Sequence, residues 1–419
     1  MLRKPLLCLL VGLAAADGAI SVAPAQDRPG RDDFALADEA PTTGRAGPGL
    51  EHFDGLMHRT MGRFGVPGAS LAIAKDGRLV LAKGYGWANV AAEEPVLPRS
   101  LFALASVSKS ITAVTVLKLV EEGKLSLDDR AFERLGHLRP PAGERADPRL
   151  RDVTIRMLLN HSGGWDRGKS GDPSGWSLRV ARKLHVRAPI SAVQLTRFML
   201  GQPLDFDPGS EEHYSNFGYV VLGLVIERVT GQSYEEYVQE RTLRPMGIRR
   251  MRLDGLPPRY ERGEVRRYSP GADHLFPGGH HPMTDAAGGW LGSAPDMVRF
   301  LTALDGSRGK PFLSEKMTRA MLAAPPPPLE PREDGSYFGL GWDRVRRTED
   351  GFGYAKNGGL PGVSTWIEHL PGGVDWVLLV STGVKHSVAP MMATFEKEVR
   401  RAIAQTKKWP EIDLFRQQP

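Results

Sequence analysis

Cysteine is nearly absent. One residue of 419 is a cysteine, Cys8, and it sits inside an apolar amino-terminal segment. The rest of the chain carries no thiol, which excludes a disulfide framework, thiolate metal sites and a cysteine nucleophile together. Long apolar runs are equally scarce. Leu6–Ala16 is apolar, but it falls short of the roughly 18–20 residues that a bilayer-spanning helix needs, and no other stretch qualifies. Neither sign of charge dominates, since 55 Lys and Arg stand against 49 Asp and Glu for a formal net charge of +6. No Lys/Arg run is interleaved with aromatics, so nucleic acid is not an expected partner. A mild attraction to an anionic cell wall is the most that this charge implies. The chain also lacks H-E-x-x-H and G-x-S-x-G, which argues against a zinc peptidase and an α/β-hydrolase. Its apolar fraction of 41% and charged fraction of 25% are those of a globular protein.

What is present begins with an export pattern. Arg3 and Lys4 precede the run Leu6–Ala16, and Ala23-Pro24-Ala25 offers small residues for cleavage before Gln26. Residues 1–25 are therefore expected to be a signal peptide, and the protein to be periplasmic or secreted. Residues 26–49 are polar and rich in Pro and Gly, and they read as a flexible leader. A helix is expected near Leu50–Phe64. The apolar runs Ser70–Lys75 and Leu79–Tyr85 follow, joined by Asp76-Gly77, a hairpin signal because glycine accepts the positive φ of a tight turn. Val363–His369 and Val374–Val380, flanking Pro371-Gly372-Gly373, predict a second hairpin, and Met391–Ala404 a closing helix. Strand signals at both ends with helical signals between them predict an α/β (α+β) fold. Its antiparallel sheet would be formed by N- and C-terminal segments, with a mainly helical insertion over about 127–287. The hydrolase-like body would span 50–405, and 406–419 would be a C-terminal tail.

Three short strings carry chemistry. Ser106-Val107-Ser108-Lys109 opens an apolar helical run (Ile111, Val114, Leu117, Val120) that stops at Gly123. Residues three apart share a helix face, so Lys109 can reach Ser106. A serine becomes a nucleophile only when a base takes its proton, and a lysine can serve once burial or nearby cations depress its pKa. In Tyr214-Ser215-Asn216, a tyrosine beside cations can exchange protons, and an asparagine offers both donor and acceptor to an amide. In Lys356-Asn357-Gly358-Gly359, the lysine can face a carboxylate, and the glycines let the backbone approach a reacting carbonyl.

In this order the three strings resemble the S-x-x-K, Y-x-N and K-T-G motifs of the serine β-lactamase and penicillin-binding-protein superfamily. Ser-x-Ser-Lys with Tyr-x-Asn is most similar to the class C β-lactamase-related branch, which also holds D-alanyl-D-alanine carboxypeptidases, aminopeptidases and esterases. Thr154–Gly164, Phe206–Gly209, Gly292–Met297 and Phe338–Trp342 look like further strings of that branch, so the resemblance runs from about Leu50 to Ala404. It implies that Ser106 is the acylated nucleophile and that Lys109 and Tyr214 share the acid/base work. Asn216 would hold the substrate amide and Lys356 would assist electrostatically. Asn357 and Gly358 would border the substrate, and the backbone N–H groups of Ser106 and Gly359 would form the oxyanion hole. No cofactor is implied.

Asn357 departs from the pattern, standing where β-lactamases have threonine in the pocket for the β-lactam carboxylate. The retained Lys356 points the other way, towards a carboxylate-bearing substrate. No class A type E-x-x-L-N segment is present. Gly163–Ser170 matches a phosphate-loop string, but a helical pattern precedes it and Gly171-Asp172-Pro173 breaks any helix after it, against that mechanism. His274, His280, His281 and Asp285 lack helical metal-ligand spacing and lie among Gly and Pro, so a loop is expected there. The sequence thus predicts an exported serine hydrolase acting on a D-amino-acid peptide, a small ester or a β-lactam. The rival is a catalytically idle penicillin-binding-like protein that binds cell-wall peptides.

Overall fold

Residues 40–255, 260, 263–268, 282–382 and 388–417 are described in the computed structural model. The expected signal with Cys8, and His274, His280 and His281, lie outside the described residues. The main sheet has nine strands: β1 (Thr42–Ala46), β2 (Gly68–Lys75), β3 (Arg78–Asn89), β4 (Glu94–Pro95), β5 (Tyr337–Gly339), β6 (Trp342–Thr348), β7 (Gly351–Leu360), β8 (Val363–Leu370) and β9 (Val374–Ser381). Its order is β1-β3-β2-β9-β8-β7-β6-β5, with β4 paired to β3, and every pairing is antiparallel. Both expected hairpins form. Asp76 and Gly77 take φ of 48° and 74° between β2 and β3, the double positive φ that matches the strand twist.

The central strands are buried on both faces, so β2 and β9 read as mostly apolar runs rather than alternating ones. The strand period of two still sorts their side chains. Leu71, Ile73, Trp376 and Leu378 pack under the terminal helices α1 (His52–Phe64) and α5 (Val388–Gln405), against Phe53, Met57, Phe395 and Val399. Ala72, Ala74, Val377 and Leu379 face the other core with α2 (Ser108–Glu121) and α4 (Ala294–Asp305). Helix α2 is buried on nearly every side, its polar residues Lys109, Thr112 and Thr115 included. Its threonines turn their hydroxyls back onto the helix, Thr112 to Ser108 O at 3.2 Å and Thr115 to Ile111 O at 2.9 Å. The region between the sheet halves is mainly helical, its longest helix being α3 (Asn216–Thr230). A three-stranded ribbon, Phe102–Ala103, Trp290–Gly292 and Arg252–Leu253, ties this region to the entrance of α2.

Two segments differ from expectation. The stretch expected to be a flexible leader contains β1, paired with β3 from Thr42↔Tyr85 to Ala46↔Leu81. Its Gly/Pro-rich composition reads locally as a linker, but non-local ladder bonds with a long strand outweigh that preference. The C-terminal tail also docks. Leu414 and Phe415 are buried, and the Asp413 carboxylate accepts from Leu79 N at 3.2 Å.

Candidate active site

Ser106 lies in a 3-10 turn, Ala105–Val107, one step before α2 begins at Ser108. The turn opens with Ala105 at φ 49°, a left-handed conformation that costs a non-glycine residue energy and persists only where the surroundings enforce it. The surroundings do so from two sides. Leu104 N donates to Trp290 O at 2.8 Å, and Leu104 O accepts from the Thr365 hydroxyl at 2.9 Å. The neighbouring serines are structural, since Ser108 Oγ accepts from Trp290 N and Ser110 Oγ donates to Gly341 O.

One helical turn on, Lys109 has no exposed surface. Its Nζ lies 3.2 Å from Ser106 Oγ, 2.7 Å from Asn216 Oδ1 and 2.5 Å from Ala287 O. Burial holds its pKa well below the ordinary lysine value, and the Lys356 charge adds to this against Asp343 and Asp172. A neutral amine in this position has two N–H groups for Asn216 and Ala287, which leaves its lone pair for the Ser106 hydroxyl. On the other side, Tyr214 Oη donates to Ser106 Oγ at 2.6 Å. Burial, with the Asp343 charge, raises the Tyr214 pKa, so the phenol keeps its proton. Three basic side chains surround its ring: Arg167 at 4.8 Å, Lys356 at 5.0 Å and Lys109 at 5.1 Å from the centroid.

His161 supports this tyrosine. The ring packs 4.6 Å from Tyr214, and its Nδ1 accepts from Ser215 N at 3.2 Å. Burial and the two lysine charges hold its pKa well below the usual value, which keeps that nitrogen an acceptor. Asn216 opens α3, and both ends of its amide are engaged, Oδ1 by Lys109 and Nδ2 by Asp172 Oδ2 at 2.6 Å.

Lys356, Asn357, Gly358 and Gly359 lie on β7, opposite Ile367, Trp366, Thr365 and Ser364 of β8. Lys356 also has no exposed surface, and its Nζ is 2.5 Å from Asp343 Oδ1. Burial lowers its pKa and the Asp343 carboxylate opposes the shift. A lysine expected to face a substrate carboxylate is thus already paired with a protein carboxylate. Asn357 is exposed, and its N–H points to the second Asp343 oxygen at 3.4 Å. Gly358 must be glycine, because a Cβ there would meet Thr365 Oγ1 at 2.4 Å, Leu104 O at 2.5 Å and Ser106 N at 3.0 Å. This contact brings the strand against the turn that carries Ser106.

A cavity of about 1000 Å³ opens over Ser106, Tyr214 and Asn216, with Gly359 and Trp366 on the strand side and Arg167 and Asp172 opposite. The two lysines lie behind it. Arg167 lies within the phosphate-loop match and Asp172 just after it; helix Ile155–Leu159 precedes the match and turns follow, so the strand–loop–helix that such a loop needs is missing. Within the described residues, Asp285 of the loose His/Asp group opens the short helix whose Ala287 carbonyl holds Lys109. Sequence pattern marks neither Asp343 nor Asp172. The one available signal for Asp343 was its place directly after the Phe338–Trp342 string.

A serine between a buried lysine and a tyrosine, at the seam of an antiparallel sheet and a helical region, matches the layout that the sequence motifs implied. The chain belongs to the beta-lactamase family, whose model matches residues 53–401. It is 29% identical over 199 residues to Protein flp of Staphylococcus aureus (strain MW2), a match covering 48% of this chain and 37% of that protein. The chain thus spans little more than a third of that relative. Among solved structures it is similar to the octameric penicillin-binding protein homologue from Pyrococcus abyssi, at 26% identity and TM-score 0.65 over 87% of this chain and 79% of that one. The D-amino acid amidase from Ochrobactrum anthropi SV3 shares the fold at 22% identity and TM-score 0.66, over 86% of this chain and 99% of that one.

Proposed function

We propose that the protein is a serine hydrolase that forms an acyl-enzyme on Ser106 and cleaves an amide or ester bond. The observation that carries this reading is the position of Ser106 Oγ, 2.6 Å from Tyr214 Oη and 3.2 Å from a Lys109 whose pKa is depressed by burial. Lys109 takes the Ser106 proton as Oγ bonds to the substrate carbonyl carbon. The carbonyl oxygen becomes an oxyanion held by the N–H groups of Ser106 and Gly359; one such donor is worth about 2.7–4 kcal/mol. As the carbonyl re-forms, the bond to the leaving nitrogen or oxygen breaks and Tyr214 supplies its proton. The proton on Lys109 then resets the tyrosine. Water repeats the sequence on the acyl-enzyme and releases the acid. Asn216 and Asp172 act on this chemistry by orienting Lys109.

The capture of Lys356 by Asp343 favours a substrate that is neutral where a β-lactam carries its carboxylate. Asn357 in place of threonine works in the same direction. Small esters and amides, including those of D-amino acids, are the leading substrates, and β-lactams are slow ones. Family membership and the amidase neighbour support hydrolysis of this kind. We also propose that residues 1–25 are removed on export; an intact Met1 on protein recovered from outside the cytosol would overturn this. The purified protein is to be assayed against p-nitrophenyl esters, D-amino-acid amides, D-Ala-D-Ala peptides and a chromogenic cephalosporin, with mass spectrometry of the Ser106 peptide. Ester or amide turnover with an adduct on Ser106 supports the reading. Binding of cell-wall peptides with no turnover and no adduct favours an idle binder.

A further inference from the structure

Away from the Ser106 cavity, three side chains from three elements converge. Asp305 is the last residue of α4, His369 lies near the end of β8, and Asp375 near the start of β9, directly opposite His369 in the ladder. His369 is also paired with Tyr354, three residues along β7 from Asn357, so the cluster lies about 10 Å along the strand from the substrate-binding segment. His369 Nδ1 is 2.8 Å from Asp375 Oδ1 and 3.6 Å from Asp305 Oδ2. One ligand atom from each residue falls within 4.8 Å of the other two.

The charges here do not balance. Among the described residues no lysine or arginine pairs with Asp305 or Asp375, so two carboxylates share one imidazole. The Asp375 side chain is 1% exposed, and its second oxygen, Oδ2, has no hydrogen-bond partner. A buried carboxylate oxygen without a donor is costly unless a proton or a cation reaches it. Asp305 also ends α4, where the unsatisfied carbonyls of the last turn add negative potential. The side chains of His369 and Asp305 keep 13% and 12% exposure, so the cluster can be reached from solvent.

We propose that Asp305, His369 and Asp375 form a binding site for one divalent transition-metal ion, Zn2+ above all. One imidazole and two carboxylates suit Zn2+ or Mn2+ better than the all-oxygen preference of Mg2+ or Ca2+. Ligand atoms about 2.1 Å from a tetrahedral ion stand roughly 3.4 Å apart. The 3.6 Å separation already fits, and the 2.8 Å pair opens by roughly half an ångström as the ion replaces the shared proton. The ion would tie the end of α4 to the β8–β9 hairpin and leave the hydrolytic groups untouched.

The test uses the whole protein, dialysed against EDTA and titrated with ZnCl2 by calorimetry. One site per chain is expected. Loss of an outer-shell partner alone commonly weakens metal binding about 10–100-fold, so His369→Gln and Asp375→Asn should each weaken it at least that much while keeping ester turnover. Co2+ gives a reading on the wild type that does not depend on the variants folding, through a visible d–d band abolished by excess Zn2+. No saturable binding in the wild type, or equal binding by well-folded His369→Gln and Asp375→Asn, overturns the proposal.

Discussion

Lys356 Nζ lies 2.5 Å from an oxygen of Asp343, and the lysine has no surface of its own. Removing one member of a buried pair strands the other, at a cost of about 3–5 kcal/mol. Asp343 retains 18% exposure, so Asp343→Asn is expected at the low end, about 3 kcal/mol by urea denaturation. Adding Lys356→Met should recover part of the loss. The single variant should also lower KM for anionic substrates relative to neutral esters, because the ammonium is released.

Ser106→Ala is expected to abolish fluorophosphonate labelling and to lower ester turnover by at least about 1000-fold, as removal of a nucleophile does elsewhere. Melting temperature should barely move, because Ser106 Oγ is partly exposed and its only side-chain contacts among the described residues are with Lys109 and Tyr214. Labelling that persists in the variant would place the nucleophile elsewhere.

The pH profile follows from Lys109. Only the neutral amine accepts the Ser106 proton, so kcat/KM should fall on the acid side as Lys109 protonates. Burial depresses that pKa, so the acid limb lies well below the ordinary lysine range. Because the folded state releases this proton more readily than the unfolded chain, Lys109 costs stability as pH falls from the unfolded lysine pKa through the folded one. The Asp172 charge raises the Lys109 pKa, so Asp172→Asn should move the limb to lower pH. An unmoved limb would show that another group sets it.

Gly358→Ala places a methyl 2.5 Å from Leu104 O and 3.0 Å from Ser106 N, so the strand or the turn must shift. Displacements near 1 Å commonly cost about 100-fold in rate. A loss of that order in kcat is expected, with a stability loss of about 1–3 kcal/mol in urea. Equal kcat for both proteins would show that the turn can relax without cost.

Asn357→Thr is expected to raise cephalosporin turnover, and to raise it more in combination with Asp343→Asn, which releases Lys356. Wild-type cephalosporin turnover near ~100 per second, within the usual enzyme range, would overturn the argument from both residues.

Local chemistry made the hairpins, α5 and the Ser106–Lys109 step legible in the sequence. Each depends on contacts a few residues apart or on turn residues with fixed conformational needs. β1 was not legible, because its Gly- and Pro-rich composition yields to a strand that arrives later in the chain. Neither were Asp343 and Asp172. A lone carboxylate reads as a solvated charge until the fold brings Lys356 or Asn216 against it. The sequence did place Lys356 at the site, but whether its ammonium is free depends on a partner 13 positions away on the adjoining strand.

The pairing of β2 with β9 sets when the surroundings of Ser106 can assemble. Lys75 Nζ donates to Gly372 O at 2.6 Å across 297 positions of chain, so the middle of the sheet cannot close until nearly all of the polypeptide has left the ribosome. Contacts so distant in sequence make folding slow. Until they form, Ser106 has no β7 behind its turn. The competence of Ser106 is thus a property of the closed sheet and not of its own turn and helix alone.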